Sequence, residues 1–277
     1  MGEEQNALAA SPAEAKPKKQ KKRVRINRGI SGVGTDYTVY ILNSTEKFYA
    51  IVLGFCAGFG AAYIYFNNKI LGLIVGVIAA WKGIDVYRKK LFDRRQKDLR
   101  LQFRDMLESL SNSYTVGMTA SRAFQAAYQD MVTEHGDKSY IVKEIALINS
   151  MYENQGVEIN EMLIDFGERS GIDDIKSFAS VFDVSTQLAG DIAKVVRETR
   201  DMIGDKIEIE MEIQTMVSGK KGELKILAVM PLVMSLLTRS FGTGGTPSML
   251  EYIIKFAALG VFVFAYWLGT RIVDIKV

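Results

Sequence analysis

The sequence has only one cysteine and one histidine among 277 residues. The single cysteine, Cys56, excludes an intramolecular disulfide, and because it lies in an apolar run we interpret it as a packing residue. The single histidine, His135, excludes a histidine-rich metal cluster, and its polar neighbours in Glu134-His135-Gly136-Asp137 predict a surface turn. The sequence therefore predicts no catalytic residue, no cofactor and no metal site.

The sequence also lacks an overall excess of one charge, since its net charge is only +3. Lysine and arginine are nevertheless concentrated in residues 16–28, with eight in thirteen, and in residues 88–104, with eight in seventeen. Such runs occur in nucleic-acid-binding proteins, but the second run directly follows an apolar segment, where cationic residues more often flank a membrane. We favour the membrane interpretation and predict no nucleic-acid partner.

Apolar residues are concentrated in four segments, which are residues 49–66, 70–81, 226–238 and 252–270. The first has no charged residue in its eighteen positions, and a polar link of three residues separates it from the second. Because a membrane-crossing helix needs about 20 residues, we predict a transmembrane hairpin at 49–87 and a second pair at 226–270. The third segment has only thirteen residues and contains Pro231, so alone it fits either a short span or a buried core helix.

Glycines recur near every fourth position in the first two apolar segments. Gly54 and Gly58 lie in the first segment, and Gly72 and Gly76 lie in the second. Small residues at this spacing allow transmembrane helices to approach closely. We therefore predict that these glycines form a helix-packing face.

The distribution of lysine and arginine predicts the orientation in the membrane. The N-terminal tail and residues 88–104 and 219–225 are basic, whereas the links within the two pairs of spans contain only Lys69 and Arg239. Cytoplasmic segments carry the excess of positive charge. We therefore predict a multi-pass protein of the inner, or cytoplasmic, membrane with both termini and the central domain in the cytoplasm.

The remaining segments complete the domain organisation. Residues 1–36 are poor in apolar residues and are predicted to be a disordered basic tail, followed by a juxtamembrane segment at 37–48. Residues 88–225 show helical periodicity almost throughout, as in the apolar stripe of Leu99, Phe103, Leu107 and Leu110, and are predicted to contain six helices. Residues 271–277 form a short tail. The predicted fold is an all-α membrane protein in which two transmembrane helix pairs flank a six-helix cytoplasmic bundle.

Two patterns within the central domain allow more than one interpretation. Residues 207–213 alternate between apolar and acidic side chains, which is typical of a strand, but with no partner strand nearby we predict a helix with two apolar flanks, suited to a position between neighbours in an oligomer. Glu161 and Asp165 share a helix face and would suit a hard cation or acid–base chemistry. We favour a solvated face for these two carboxylates, and the sequence leaves cation binding open.

Several short motifs occur in a fixed order between residues 95 and 270. The main ones are Phe103-Arg104-Asp105-Met106-Leu107-Glu108-Ser109-Leu110, Val116-Gly117-Met118-Thr119, Phe166-Gly167-Glu168-Arg169-Ser170-Gly171, Gly190-Asp191-Ile192 and Ala228-Val229-Met230-Pro231. Their order and spacing resemble the type II secretion system F domain. The arrangement of paired spans around one domain is most similar to the TadB-like platform proteins of Flp, or tight-adherence, pili.

This resemblance implies a function and a set of partners. The protein would be a membrane platform for assembly of a type IV-like (Flp/Tad) pilus or a type II secretion pseudopilus, and it would couple a cytosolic secretion ATPase to pilin insertion. The implied partners are that ATPase, pilins, a paralogous platform protein and membrane lipid, and we expect homo-oligomers. The motif residues chosen as a partner-binding surface are Arg104, Glu108, Gly117, Glu168, Arg169, Gly190, Arg197 and Arg200.

Two other classes of protein compete with this interpretation. A membrane-bound helical signalling or regulatory protein without catalytic activity is the alternative, although the sequence shows no kinase, cyclase or phosphoacceptor motif. A membrane enzyme or transporter would place ionisable groups within its spans, where Lys255 is the one clear example and lies near an end. The sequence therefore favours a non-enzymatic platform.

Overall fold

The structure is a computed structural model that describes residues 27–241, except Val33 and Ala189, and residues 249–273. Eight helices, and no strands, account for the regular structure of these residues. The helices are α1 (Ser44–Phe66), α2 (Lys69–Thr115), α3 (Ala120–His135), α4 (Tyr140–Gln155), α5 (Ile159–Ser170), α6 (Asp173–Gln187), α7 (Ile192–Ser240) and α8 (Met249–Val273). The prediction of an all-α protein is confirmed for this part of the chain.

Helices α1 and α2 form the predicted hairpin. Asn67 ends α1 in the left-handed conformation with φ 52°, and the Asn68 side chain caps α2 by accepting from the Ile70 amide at 2.9 Å. The predicted glycine face is present. A Cβ added to Gly58 would lie 2.5 Å from the Ala79 Cβ, and one added to Gly76 would lie 3.0 Å from the Phe55 ring. The two helices can therefore approach this closely only because these positions lack side chains.

Three helices are long and apolar enough to cross a membrane, namely Ser44–Phe66, Lys69–Thr115 and Tyr252–Ile272. The third predicted span, residues 226–238, is not a separate helix but lies inside α7. Its thirteen uncharged residues lie between Lys225 and Arg239, and at 1.5 Å per residue they extend about 20 Å, less than the roughly 30 Å of a bilayer core. Length and composition therefore identify three candidate spans within the described residues, where the sequence predicted four.

The apolar part of α7 nevertheless lies against the other apolar helices. The Ser235 hydroxyl donates to the carbonyl of Ile64 in α1 at 3.1 Å, and the ring centroids of Phe66 and Phe256 are 4.7 Å apart. Toward the other end of α8, a Cβ added to Gly269 would lie 2.6 Å from Leu224. Helices α7 and α8 therefore run antiparallel to each other, and both lie beside α1.

The remaining helices enclose one apolar core. The predicted stripe on α2 is buried at Leu99, Phe103, Leu107 and Leu110, and side chains from α3, α4, α5, α6 and α7 complete the same cluster. The alternating residues 207–213 are helical, as predicted, and lie inside α7. The six helical segments of residues 88–225 are therefore α3 to α6 together with the adjoining parts of α2 and α7.

The segment before α1 differs from its prediction. Residues 27–36 were assigned to a disordered tail, yet in the structure the Ile30 amide donates to the Asp165 carboxylate at 2.8 Å, and Tyr37 is completely buried. Low apolar content misled the prediction, because this segment is held by polar contacts and by a single aromatic ring. The rest of the predicted tail, residues 1–26, lies outside the described residues.

Candidate functional site

A buried ion network lies where α4, α5 and the N-terminal segment meet. Arg169 and Asp165 are one turn apart on α5, and the Arg169 Nε donates to the Asp165 carboxylate at 2.7 Å. The two terminal nitrogens of Arg169 donate to the two carboxylate oxygens of Glu144, on α4, at 3.0 and 2.8 Å. The exposed fractions of the Arg169, Glu144 and Asp165 side chains are 0%, 2% and 6%. This is a two-pronged guanidinium–carboxylate pair in a site from which water is excluded.

The N-terminal segment completes the network through its backbone. The Thr35 carbonyl accepts from Arg169 at 3.0 Å, and the Tyr37 amide donates to the Arg169 carbonyl at 2.8 Å. The Tyr37 hydroxyl donates to Glu144 at 2.9 Å. A Cβ added to Gly34 would lie 2.7 Å from the Arg169 guanidinium carbon, so the chain can pass here only as glycine. The segment thus covers the ion pairs like a strap, and we refer to residues 27–38 as the N-terminal strap.

Two α2 side chains attach the strap to the base of the domain. The Gln96 amide donates both to the Tyr37 carbonyl at 2.9 Å and to the Ser170 carbonyl at 3.0 Å. The Arg95 guanidinium lies 4.5 Å from the centroid of the Tyr37 ring, within cation–π distance. Arg95 and Gln96 belong to the basic run that sequence analysis assigned to a membrane surface. In the structure these two side chains instead bind the strap.

The electrostatics of the network favour its charged form. Burial lowers the pKa of Arg169, but hydrogen bonds and charges from Glu144 and Asp165 outweigh burial and leave that pKa above its ordinary value. Burial, followed by the negative charge of Glu144, raises the pKa of the Tyr37 phenol, which therefore remains a hydrogen-bond donor. Arg169 thus carries a fixed positive charge, and the Tyr37 phenol keeps its proton.

These positions correct two expectations. Arg169 was expected on a partner-binding surface, but its side chain is fully enclosed and contacts only this protein. Asp165 was expected on a solvated face, but it is buried and accepts from Arg169 and Ile30, whereas Glu161 is exposed. Charged residues are buried only when they are paired. The sequence pattern gave no sign that the partners of Arg169 would come from three separate segments.

Four of the other predicted residues lie along α2 and α7. Arg100 of α2 pairs with Glu210 of α7 at 2.7 Å, and helical spacing places Arg104 and Glu108 on the same face of α2. Arg104 pairs with its neighbour Asp105 at 2.6 Å, and Glu108 is exposed. Arg197 is exposed and donates to the Thr115 hydroxyl at 3.3 Å. Arg200 is partly exposed and pairs with Asp201 at 2.6 Å.

The last three predicted residues, Gly117, Gly190 and Glu168, are not part of α2 or α7. Gly117 follows the end of α2 with φ 79°, a backbone conformation that favours glycine, and Gly190 is exposed before α7. Glu168 is exposed on α5 beside a cleft of about 250 Å³. The structure therefore does not bring all eight predicted residues onto one surface. Seven of them are exposed or partly exposed, and Arg169 is buried.

An open groove of about 540 Å³ runs along one exposed face of α7. Its lining combines three acidic residues and Lys206 with two apolar residues, Met202 and Ile209, whose exposed fractions are 50% and 51%. Ile207, two residues before Ile209, is buried in the core. Of the two apolar flanks predicted for residues 207–213, only Ile207 packs inside the domain, whereas Met211 and Ile209 are more than half exposed.

One cluster near the end of α3 has the composition of a metal site. Ligand atoms of Asp105, Glu134 and His135 lie within 4.8 Å of one another. His135, expected in a surface turn, is instead the last residue of α3, and its Nε2 lies 3.0 Å from the Asp105 carboxylate. Arg104 already donates twice to Asp105. This positive charge opposes cation binding, so we interpret the cluster as a hydrogen-bonded network that joins α2 to α3.

Over the residues that the structure describes, the protein is helical and has three helices long and apolar enough to span a membrane. Comparisons with protein-family models, with curated proteins and with solved structures found no match to the chain. The resemblance to the F domain therefore rests on the motifs themselves, and the function that it implies is argued below as a proposal.

Proposed function

We propose that this protein is a non-enzymatic, multi-pass platform of the cytoplasmic membrane that assembles a type IV-like pilus or a secretion pseudopilus. In this proposal the apolar part of α7, which lies against α1, crosses the membrane together with α8. The helical domain and both termini then face the cytoplasm, and the domain receives force from a cytosolic secretion ATPase. The order of the F-domain motifs supports the family, and the run of basic residues after the first hairpin supports the orientation.

One structural observation carries the mechanical part of the proposal. Helix α2 continues without interruption from a candidate membrane span into the domain core, where Leu99 and Phe103 are fully buried. Helix α7 likewise joins buried Val196 and Ile203 to the apolar residues beside α1. A displacement of the domain would therefore be transmitted along two helices, because packed helices move as rigid bodies. Neither connection contains a loop that could absorb the movement.

The lateral surfaces of the two long helices are suited to protein partners. Arg104 and Glu108 lie on α2 beside α7, and the groove around Met202 and Ile209 leaves apolar side chains exposed on α7. Exposed apolar groups bordered by charges are typical of interaction sites. We assign the groove to contacts between copies of this chain and the α2 surface to the ATPase.

Affinity purification of the full-length protein from its native cells tests the partner directly. We expect a secretion ATPase to co-purify, and we expect an Arg104→Glu/Glu108→Lys double variant to lose both the ATPase and surface pili while remaining in the membrane fraction. A Lys143→Glu variant, which changes an exposed charge on α4, is the matched control and should retain both. Normal piliation in the double variant would refute the α2 surface, and absence of any secretion ATPase would refute the platform function.

A further inference from the structure

The apolar helices enclose a cavity that the platform function does not use. It has a volume of about 350 Å³ and lies between α1, α7 and α8, with Ala61, Ala228, Pro231, Leu259 and Ala265 among its lining residues. This volume is within the range of roughly 300–1,000 Å³ in which proteins bind small molecules. Three of these residues are alanines and one is a proline. Their small side chains leave space that larger side chains would fill.

The ends of the cavity differ. Near the hairpin tip, the Tyr65 hydroxyl donates to the Lys255 carbonyl at 3.2 Å, and Ser235 ties α7 to α1. At the domain end, Leu224 reaches the lining and lies against Gly269 of α8. Polar contacts therefore lie at the tip end of the cavity, and the apolar side chain of Leu224 lines its domain end.

Cationic side chains surround the domain end. Lys221 lies three residues before Leu224 and thus on the same face of α7, and Lys225 directly follows Leu224; both are exposed. Arg271 of α8 is two residues beyond Gly269, and its guanidinium lies 5.4 Å from the centroid of the Trp267 ring. Lys220 is also at this level, but it pairs with Glu223 at 3.1 Å. The domain end of α7 and α8 therefore carries a net positive charge from Lys221, Lys225 and Arg271.

We propose that this cavity binds one acyl chain of an anionic phospholipid and that Lys221 and Lys225 bind its phosphate headgroup. The apolar lining suits a hydrocarbon chain, and the cations suit a phosphate, so the two halves of the site match the two halves of one amphipathic ligand. The arrangement of Trp267 next to Arg271 supports the headgroup level, because tryptophan and arginine concentrate at the membrane interface. The site requires α1 and α8 to lie in a bilayer, but it does not depend on pilus assembly.

Native mass spectrometry of the full-length protein in detergent micelles tests the site, with dioleoyl phosphatidylglycerol and dioleoyl phosphatidylcholine as separately added probes. We expect the protein to retain phosphatidylglycerol in preference to phosphatidylcholine. A Lys221→Gln/Lys225→Gln variant should bind phosphatidylglycerol more weakly, by about fivefold for each charge removed, with phosphatidylcholine binding unchanged. A Lys89→Gln/Lys90→Gln variant on α2 removes the same charge elsewhere and should bind both lipids like the wild type.

Filling the cavity provides an independent test. An Ala228→Phe variant should lose the retained phosphatidylglycerol, whereas Ala257→Phe, at an exposed position of α8 outside the lining, should keep it. Circular dichroism of both variants checks that their helices are intact, and the exposed lysine variants provide the answer if Ala228→Phe does not fold. Equal binding of the two lipids, or undiminished binding by Ala228→Phe, would overturn the proposal. A changed oligomeric state of Ala228→Phe with unchanged lipid binding would also overturn it and would assign the cavity to a second copy of the chain.

Discussion

The guanidinium of Arg169 and the carboxylate of Glu144 form two parallel hydrogen bonds of 3.0 and 2.8 Å, and neither side chain has more than 2% of its surface exposed. A buried pair of this kind need not stabilise a protein relative to an apolar pair, because both charges lose their hydration. Loss of one partner, however, leaves the other as an uncompensated buried charge. The pair therefore makes α4, α5 and the N-terminal strap interdependent.

Replacement of Arg169 by methionine should destabilise the domain strongly. The change would leave Glu144 and Asp165 without their counter-charge and would remove a donor to the Thr35 carbonyl, so we expect a loss of about 3–5 kcal/mol. Thermal unfolding of the full-length protein in detergent, followed by circular dichroism, measures the effect. Arg197→Met, which removes an exposed arginine, is the control and should change stability by less than about 0.5 kcal/mol. Equal unfolding of the two variants would contradict the role assigned to the network.

The position of Arg169 shows how far the sequence could predict the structure. The stripe from Leu99 to Leu110 was predicted because helical periodicity is a local signal, and the packing of Gly58 against α2 was predicted because small residues repeat within each span. Arg169 was misplaced because its partners Glu144 and Thr35 are 25 and 134 residues away in sequence. No periodicity links such positions, and an isolated arginine is usually exposed.

Prediction of the candidate site was limited by the same long-range contacts. The strap is polar in composition, and only the burial of Tyr37 and the backbone contacts with α5 reveal that it is part of the domain. The third predicted span has thirteen residues inside the longer helix α7 and is not among the helices identified by length and composition. The strap was misjudged because tertiary contacts, rather than local composition, determine the environment of that segment.

The glycine face of the hairpin can be tested with a matched pair of variants. A Gly58→Leu change would force side-chain atoms into Ala79, whereas nothing lies within 4 Å of a Cβ added to Gly60 on the same helix. We expect Gly58→Leu to cost about 1–3 kcal/mol, as overpacking typically does. Gly60→Leu should be neutral or slightly stabilising, since glycine is a poor helix former. Fluorescence-detected gel filtration after heating measures both, and an equal response of the two variants would contradict close packing at Gly58.

Low pH should remove the stabilisation that Asp36 gives to the strap. Burial raises the pKa of Asp36, but hydrogen bonds from Thr38 and Asn27 outweigh burial and hold that pKa below its ordinary value of 3.8. A lowered folded-state pKa means that the stabilisation is complete above pH 3.8 and is lost as pH falls through the folded-state value. The difference in thermal midpoint between wild type and Asp36→Asn should therefore be constant from pH 7 to about pH 5 and should shrink below pH 3.8. A difference independent of pH would contradict this prediction.

Self-association should depend on the exposed flank of α7. Ile209 lines the groove and is 51% exposed, so Ile209→Glu should leave the fold intact but weaken association between copies, because a carboxylate would lose its hydration in an apolar contact. The loss of one anchor residue in an interface typically costs about 2 kcal/mol or more, which corresponds to roughly a thirtyfold weaker complex. Val184→Glu makes the same type of change at a similarly exposed apolar position on α6, where the exposed fraction is 53%. Analytical ultracentrifugation in detergent over a range of protein concentrations should show dissociation of Ile209→Glu alone; equal association of both variants and the wild type would remove the groove from the interface.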